Sequence, residues 1–276
     1  MHCHSTASDG EFPPAEVARR AAGAGLAAIA LTDHDTLNGV DEAARAGAPL
    51  GLRVVPGCEF SVKAPWGELH LLGYFLPPAE ARLQAFLAET RAARRWRGEQ
   101  MVAKLQRLGV ALDLAAVEQQ AGHGALGRPH VARALVEEGF TQDINEAFLR
   151  WLGRGRPAYV EKPLPSLRQV ADLVHAAGGV TVAAHLGEHG TEGHIRQFKE
   201  QGLDGVEARH PSHPPLLEQR LMRIAERLDL AVTGGSDWHG ESEVRDHHAP
   251  LGGVAVPIEW LEKLEQRCPK PSRTNV

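Results

Sequence analysis

The chain alternates short apolar runs with segments whose apolar residues recur at helical spacing. One helical pattern, PPAEVARRAAGAG, begins with prolines, which a helix tolerates in its first turn, and precedes the strand-like run GLAAIALTDHD. Further apolar runs occur in GLRVVPGCEFSV, GGVTVAAHLG, LDGVEARHPSH and LAVTGGSDWHG. Alternation of this kind is typical of βα units, so the pattern predicts an α/β protein built around a parallel sheet.

Polar residues of the types that bind metals follow these runs where each predicted strand ends. Glu59 lies just past the second run and His185 ends the third. The last two runs end in His210 and in the pair Asp237 and His239. Because residues beyond the carboxyl ends of parallel strands meet at one mouth of a barrel, we expect these side chains to lie together.

Residues 77–157 differ from the rest of the chain because their helical patterns have no strand-like run between them. We call them the helical segment. They predict a helical insertion over the mouth of a barrel, followed by a return linker in GRGRPAYVEKP, which is rich in Gly, Pro and basic residues. The barrel is then predicted to comprise residues 1–76 and 158–276.

Composition narrows the classes of function. The 276 residues are 43% hydrophobic and 24% charged, and the net charge of -5 argues against binding long nucleic acid through a broad basic surface. The sequence has neither a membrane-spanning apolar stretch nor the pattern of a secretory signal. Its three cysteines, Cys3, Cys58 and Cys268, lack the pattern of a disulfide framework. We therefore expect a cytoplasmic protein without a membrane partner, whose oligomeric state is open.

The positions of the histidines, more than their number, indicate a metal-binding function. His2 and His4 form a His-X-His pair, whose side chains lie on one side of an extended strand and can bind one ion. Imidazoles combined with carboxylates, without a thiolate pattern, favour Mn²⁺, Fe²⁺ or Zn²⁺. Two ions about 3.5–4 Å apart can share a hydroxide nucleophile and clamp the attacking and leaving oxygens of a phosphoryl group. The residues therefore predict a hydrolase that acts on phosphate esters.

Six motifs, HCHSTASDG, LTDHD, GCEFS, HLLGY, AAHLG and GGSDWHG, follow one another from the amino terminus to Gly240. In these motifs the chain resembles the PHP family, the polymerase and histidinol phosphatase superfamily. The resemblance implies a distorted (β/α)7 barrel with three divalent metal ions, Mn²⁺ being favoured. It implies that one ion binds His2, His4, Glu59 and Asp237, a second Glu59, His70 and His185, and a third Asp9, His34 and His239.

Within that family, the helical segment, with GRPHVARALVEEG and GRGRPAYV, is similar to nucleotide phosphatases and exoribonucleases. Such proteins remove the 3'-phosphate from 3',5'-bisphosphonucleosides or trim short RNA from its 5' end. The resemblance implies a small nucleotide or short oligonucleotide as substrate, and Arg128, His130 and Lys162 are candidates for binding its second phosphate. The alternatives are a 5'-to-3' exoribonuclease and, from a different class, a nucleotide-binding module without catalysis.

Several residues keep two interpretations. Asp33 and Asp35 either orient the ring of His34, which is the favoured role for one of them, or act as turn and cap residues. His210, assigned with Asp237 to catalysis, either protonates the leaving oxygen or binds phosphate, or it simply ends a strand. The run RAARRWRGEQ either binds RNA or, as favoured, forms a solvated helix face. The histidines outside the motifs are assigned to the surface or to local loops: His123, His175, His189, His194, His213, His247 and His248.

Overall fold

The structure is a computed structural model that describes residues 1–122, 124–241 and 249–269. Within these ranges the strands form one curled six-stranded sheet in the order β1-β2-β3-β4-β5-β6. The strands are β1 (Ala28–Leu31), β2 (Arg53–Ala64), β3 (Gly67–Tyr74), β4 (Val180–Ala183), β5 (Gly205–Arg209) and β6 (Ala231–Gly234). The predicted α/β class is therefore confirmed.

The sheet is not parallel throughout, which corrects the expectation from the alternating pattern. Pairs β1-β2, β4-β5 and β5-β6 are parallel, whereas β3 is antiparallel to both β2 and β4. β2 ends at Ala64 and β3 begins at Gly67, so their connection is very short. Such a connection joins antiparallel strands, because a parallel crossover needs a dozen or more residues.

The amino-terminal residues lie between the two ends of this sheet. Cys3 forms parallel bridges with the last residue of β1 and with Trp238, shortly after β6. Gly235 permits this approach, because a Cβ atom there would overlap the Cβ atom of His2. His2 and His4 are therefore held between β1 and the segment that follows β6.

The helices accompany the sheet in both terminal parts of the chain and occur without strands in the middle. They are α1 (Pro14–Gly23), α2 (Val40–Gly47), α3 (Ala81–Arg107), α4 (Leu114–Ala121), α5 (Arg128–Glu137), α6 (Ile144–Ala147), α7 (Leu167–Ala176), α8 (Glu192–Lys199), α9 (Pro215–Arg227) and α10 (Ile258–Glu265). A π-helical turn, Phe148–Leu152, follows α6, and 3-10 turns cover Ala48–Leu50 and Gly187–His189. None of the described helices combines the length and apolar character needed to cross a bilayer.

The helical segment has an apolar cluster of its own. Buried apolar residues of α3, α4 and α5 pack together there, apart from the clusters around the sheet. Strands are absent from its described residues, as predicted. Ala158 and Val160 also pack into this cluster, and the backbone oxygen of Val160 accepts a hydrogen bond from Arg97 of α3. The cluster therefore continues beyond the predicted end at residue 157.

Candidate active site

The side chain of Glu59 lies at the centre of the predicted site. It projects from β2 and is 1% exposed. Its Oε1 atom lies 2.8 Å from Nδ1 of His70 and 3.2 Å from Nε2 of His185. Its Oε2 atom lies 3.2 Å from Nε2 of His2 and 3.1 Å from Nε2 of His4. One carboxylate thus faces imidazoles on both of its oxygens.

Asp237 joins the group on the Oε2 side. Its Oδ1 atom lies 3.2 Å from Nε2 of His2 and 3.2 Å from Nε2 of His4. One donor atom from each of these three residues and from Glu59 falls within 4.8 Å of the others. This is the set that the family resemblance implied for the first ion.

A second group forms around Asp9. Its Oδ1 atom lies 3.5 Å from Nε2 of His239, and its Oδ2 atom lies 3.9 Å from Nε2 of His34. These are the residues expected to hold the third ion, and the structure adds His4 to them.

The remaining group connects the other two. His34, Glu59 and His70 have donor atoms within 4.8 Å of one another. His34 thus joins the set expected for the second ion, while His185 contacts Glu59 through the same oxygen as His70. The structure therefore brings all the predicted metal ligands to one place.

Strand ends and strained loops position these side chains. A parallel bridge between His34 and Glu59 continues the pairing of β1 with β2. His185 and Asp237, on the loops after β4 and β6, have positive φ angles of 26° and 49°. Such conformations cost about 1–3 kcal/mol in residues other than glycine and are concentrated at functional sites.

Burial and crowding together set the protonation of the cluster. Burial raises the pKa of Glu59, but the rings of His34, His70 and His2 outweigh it and hold that pKa well below its usual range. Burial lowers the pKa of His70, but Glu59 and Glu68 raise it to about 10. The carboxylates thus require nearby positive charge, which protonated rings or divalent cations can supply.

Several ring nitrogens are better suited to metal ions than to hydrogen bonds. Nε2 of His2, Nε2 of His4 and Nδ1 of His34 are buried and have no hydrogen-bond partner among the described residues. They nevertheless lie 3.2, 3.1 and 3.3 Å from Oε2 of Glu59. Buried polar atoms are almost always satisfied, so these exceptions favour a bound ion. The residues present therefore fit divalent cations.

The cluster borders a cavity of about 420 Å³. We call its lining residues from the sheet and its loops the barrel wall: Asp9, His34, Glu59, Glu68, His70, His185, His210, Ser212, Asp237 and His239. We call those from the helical segment the helical wall: Arg94, Arg97, Arg128, Pro129 and Phe148. A larger cavity of about 860 Å³, between α9 and α10, contains none of the predicted site residues.

Comparison with known proteins places the chain in a family. The family model described as the PHP domain matches residues 1–144. The chain belongs to the PHP family. A 3',5'-nucleoside bisphosphate phosphatase of Chromobacterium violaceum is 36% identical to it, over 99% of this chain and 98% of the relative. A 5'-3' exoribonuclease of Haemophilus influenzae is 34% identical, over 87% of this chain and 89% of the relative.

A solved structure agrees with this membership of the PHP family. It comes from Bifidobacterium adolescentis and is named as a candidate metal-dependent phosphoesterase. It is 33% identical, covers 98% of this chain and 96% of its own, and superposes with a TM-score of 0.88. The family predicted from the six motifs is thus confirmed.

One buried carboxylate beside the metal-ligand cluster, that of Glu207, was not predicted from the sequence. Oε1 of Glu207, on β5, lies 3.1 Å from Nδ1 of His2, and its Oε2 accepts a 2.9 Å hydrogen bond from the backbone N–H of His185. Burial raises the pKa of Glu207, but His2 lowers it to about 2. A carboxylate on the far nitrogen of a ring fixes the ring's orientation. The signal was a charged residue inside the apolar strand GVEAR.

Asp33 orders the loop that carries Asp9. It accepts hydrogen bonds from the backbone N–H of Ser5 at 2.8 Å and from the hydroxyls of Ser5 and Ser8 at 2.7 and 2.6 Å. These contacts replace the expected role of orienting His34, because the carboxylate is occupied by the loop.

Asp35 and Lys162 form a buried junction with Arg94 of α3, which connects the sheet to that helix. Oδ2 of Asp35 lies 2.5 Å from Nε of Arg94 and 3.1 Å from Nζ of Lys162. Burial, with help from Arg94, lowers the pKa of Lys162 to about 8. Lys162, a candidate phosphate ligand, is not among the lining residues of the cavity, because its amino group pairs with Asp35. Because Asp35 pairs with Arg94 and Lys162, these contacts do not support its expected role of orienting His34.

His130, a candidate phosphate ligand, is also absent from the cavity lining. Its Nδ1 atom accepts a 2.8 Å hydrogen bond from the backbone N–H of Gly127, at the start of α5, and the ring bonds to the backbone of Ser8. Burial lowers the pKa of His130 to about 4. Arg128, by contrast, lines the cavity, with Nη2 lying 3.8 Å from Oε2 of Glu68.

The arginine-rich run is not a solvated face along its whole length. Arg94 and Arg97 are 8% and 6% exposed, whereas the side chain of Arg95 is 59% exposed. Residues three or four apart share a helix face, so Arg94, Arg97 and Met101 all face inward. Burial, with Arg128 and Arg94 nearby, lowers the pKa of Arg97 to about 10, which leaves it charged at neutral pH.

His210 borders the cavity in a fixed orientation. Its Nδ1 atom accepts a 3.1 Å hydrogen bond from the backbone N–H of Ser212, so the neutral ring carries its proton on Nε2. Nε2 is buried and lies 3.5 Å from Oδ2 of Asp237. The ring can therefore present a proton beside the metal-ligand cluster.

The histidines outside the motifs have varied environments. His213 was expected on the surface but is 7% exposed, and its ring forms hydrogen bonds with the backbone of Ala208 and Gly187. His189 stacks on Trp66 at 4.2 Å between ring centroids. The structure leaves these half-buried: His175, His189 and His194. These lie outside the described residues: His123, His247 and His248.

Proposed function

We propose that the protein is a metal-dependent phosphoesterase of small nucleotides, and that its preferred reaction removes the 3'-phosphate from 3',5'-bisphosphonucleosides. The observation that carries the proposal is the cavity itself. Its barrel wall is a cluster of metal-binding side chains around Glu59, and its helical wall carries arginines. A substrate with two phosphates matches such a cavity, because one phosphate can meet metal ions and the other guanidinium groups.

The barrel wall, together with the buried His2 and His4, would hold three divalent ions, with Mn²⁺ favoured and Fe²⁺ or Zn²⁺ as alternatives. The proposed ligands are His2, His4, Asp9, His34, Glu59, His70, His185, Asp237 and His239. Bound ions supply Lewis-acid polarisation of a phosphoryl group and make water acidic enough to attack at neutral pH. Glu207 keeps His2 in the orientation that such binding requires.

The helical wall would hold the phosphate that is not cleaved. Arg94 pairs with Asp35. Among the described residues, Arg97 donates through Nε to a backbone oxygen and forms no ion pair, and Arg128 lies 3.8 Å from a carboxylate oxygen of Glu68. Buried guanidinium groups gain from an anion between them, and Arg forms bidentate hydrogen bonds with phosphate. Arg97 and Arg128 are therefore the proposed ligands of the second phosphate.

His210 would assist departure of the sugar. Its Nε2 atom lies beside Asp237 and next to the cavity, where the ring, once protonated, would give the leaving oxygen the proton it needs as the ester bond breaks and would become neutral. Asp237 has two proposed roles, as a metal ligand and as the partner that keeps this ring in place.

We also propose that the curled sheet is part of a distorted (β/α)7 barrel, comprising residues 1–76 and 158–276. The bridges of Cys3 with β1 and with Trp238 support a seventh strand position at the amino terminus. The separate apolar cluster of the helical segment supports its description as an inserted subdomain. A cytoplasmic location remains our proposal.

A 5'-to-3' exoribonuclease is the second candidate. It is favoured by the Haemophilus influenzae relative, which carries that name and matches most of this chain. The same site would serve both reactions, because each places a phosphate ester on the barrel wall and another phosphate nearby. A third candidate, a nucleotide-binding module without catalysis, is weakened by the candidate metal-binding groups, which include every proposed ligand except His185.

The test is to incubate Mn²⁺-loaded protein with adenosine 3',5'-bisphosphate and with a short 5'-phosphorylated RNA. Inorganic phosphate and mononucleotides are then measured. Phosphate from the bisphosphate supports the leading proposal, and mononucleotides from the RNA support the exoribonuclease. Asp237→Asn and His185→Ala should abolish both reactions without unfolding the protein. Activity retained in both variants, or nucleotide binding without any hydrolysis, would contradict the proposal.

A further inference from the structure

The helical wall contains an apolar surface inside an otherwise polar cavity. Among the described lining residues, Pro129 and Phe148 are the apolar ones, and they lie beside the arginines of this wall. The other lining residues carry imidazole, carboxylate, guanidinium or hydroxyl groups. An aromatic ring in such a setting leaves apolar surface in contact with water, which is unfavourable unless a ligand covers it.

The position of Phe148 suits a fixed contact surface. It is the first residue of the π-helical turn Phe148–Leu152, and such turns are frequent at functional sites. The ring is half-buried, and part of it packs against the apolar cluster of the helical segment. The guanidinium carbon of Arg128 lies 5.9 Å from the centre of the ring. The apolar surface and a proposed phosphate ligand are therefore neighbours.

We propose that Phe148, supported by Pro129, is the nucleobase subsite of this cavity. The inference rests on the proposed function and names the feature that selects nucleotides over base-free sugar phosphates. A nucleobase is a flat aromatic group carried near a phosphate, so it can stack on Phe148 while Arg128 holds the phosphate. Because every base presents a π-face, the subsite accepts all bases and favours purines for their larger stacking area.

Binding of the reaction product tests this subsite without depending on turnover. Adenosine 5'-monophosphate is the product of either proposed reaction, and 1,4-anhydroribitol 5-phosphate is its base-free analogue. Calorimetry with Mn²⁺-loaded protein gives the dissociation constant of each. Stacking on one aromatic side chain predicts that the wild-type protein binds the nucleotide about 5- to 150-fold more tightly than the analogue.

Three variants separate stacking from a structural role. Phe148→Ala should abolish the preference for the nucleotide while leaving binding of the analogue unchanged, and Phe148→Tyr should retain the preference. Leu149→Ala is the matched control, because the neighbouring Leu149 is 66% exposed and does not line the cavity. It should bind both ligands as the wild-type protein does.

The proposal is contradicted if Phe148→Ala retains the wild-type preference for the nucleotide, or if this variant weakens binding of both ligands equally. It is also overturned if the wild-type protein binds the two ligands equally or binds neither. Failure of the proposed function is a separate result, since it appears as an absence of phosphate and mononucleotide release from every substrate. Binding of the nucleotide through Phe148 would then remain measurable.

Discussion

The two walls of the cavity are built in different ways. The barrel wall takes its imidazoles and carboxylates from the ends of several strands, and these groups converge within a few ångströms of Glu59. The helical wall takes its arginines from the inward face of α3 and from the first residue of α5. We therefore expect the sheet to supply the groups for the chemical step and the helices to supply those for substrate recognition. Variants on each wall should therefore change different kinetic constants.

The largest effect is expected from Glu59→Gln on the barrel wall. The amide replaces a carboxylate that faces imidazoles on both oxygens, so binding of more than one ion should be lost. We expect kcat to fall on the order of 10³-fold or more, because the ions supply the nucleophile and charge stabilisation. Steady-state kinetics and elemental analysis measure the two losses. A variant with normal metal content and normal kcat would show that Glu59 is not needed for metal binding or for turnover.

The junction between the walls should be the most sensitive point for stability. Asp35→Asn leaves Arg94 and Lys162 buried without their carboxylate, which should lower the free energy of unfolding by about 3–5 kcal/mol at pH 7. Burial raises the pKa of Asp35, but Arg94 and Lys162 lower it to about 2. The stabilisation is therefore present above the unfolded pKa of about 3.9 and is lost as the pH falls towards 2.

Urea unfolding at several pH values measures this difference. Glu16→Gln is the control, because it breaks solvent-accessible pairs with Arg19 and Arg20 that lie outside the buried junction. Its unfolding midpoint should match that of the wild-type protein. Equal stability of Asp35→Asn and the wild-type protein at pH 7 would mean that the junction does not hold the two walls together.

On the helical wall, Arg128→Gln should change binding and leave the chemical step intact. Loss of a charged hydrogen bond to phosphate predicts a fall in kcat/KM of roughly 10- to 150-fold for adenosine 3',5'-bisphosphate, mainly through KM. Adenosine 3'-monophosphate, which lacks the second phosphate, should be affected much less. Arg95→Gln on the exposed side of α3 is the control. If Arg128→Gln lowers kcat alone, the division between the walls is wrong.

Glu207→Gln tests the support behind the barrel wall. This change removes the charge that orients His2 but leaves every proposed ligand in place. Metal affinity or activity should fall by about 10- to 100-fold, which is less than the effect at Glu59. Titration of the metal-free protein with Mn²⁺ provides the measurement, and Glu200→Gln on the surface is a control. Unchanged affinity for Mn²⁺ would show that Glu207 does not support metal binding through His2.

The smallest effect is expected away from both walls. His175 lies 2.7 Å from Oδ2 of Asp204, and this hydrogen bond raises the pKa of His175. The resulting stabilisation is fully present below the unfolded pKa of about 6.5 and is lost as the pH rises through the folded pKa. His175→Gln should therefore lower the unfolding temperature slightly at pH 6 and not at pH 9, with unchanged kcat and KM. A clear loss of activity would show that remote positions also influence the cavity.

The barrel wall was readable from the sequence because strand ends have a simple geometry. Residues such as His185 and Asp237 follow apolar runs directly, and strand ends must meet at the edge of a sheet. The antiparallel β3 was missed because its signal is a short hairpin turn, PWG, whose effect depends on the pairing partner. Glu207 was not predicted because it lies inside an apolar strand, whereas the prediction rested on polar residues that follow strands, here His210.

The helical wall was harder to predict because the sequence does not show which helix face meets the cavity. Arg94 and Arg97 could have been paired from their spacing, but solvent and cavity faces have similar patterns. His130 and Lys162 lie in the expected stretch, yet a helix cap and an ion pair occupy their polar atoms. Such assignments depend on tertiary contacts, which local patterns do not encode.

The most direct test of the central claim is phosphate release as a function of bound metal. The protein is stripped with a chelator, dialysed and titrated with Mn²⁺ in the presence of adenosine 3',5'-bisphosphate. We predict no release by the stripped protein and a rise that saturates near three equivalents per chain. Release at the full rate by the stripped protein would contradict the assignment of the chemistry to metal ions on the barrel wall.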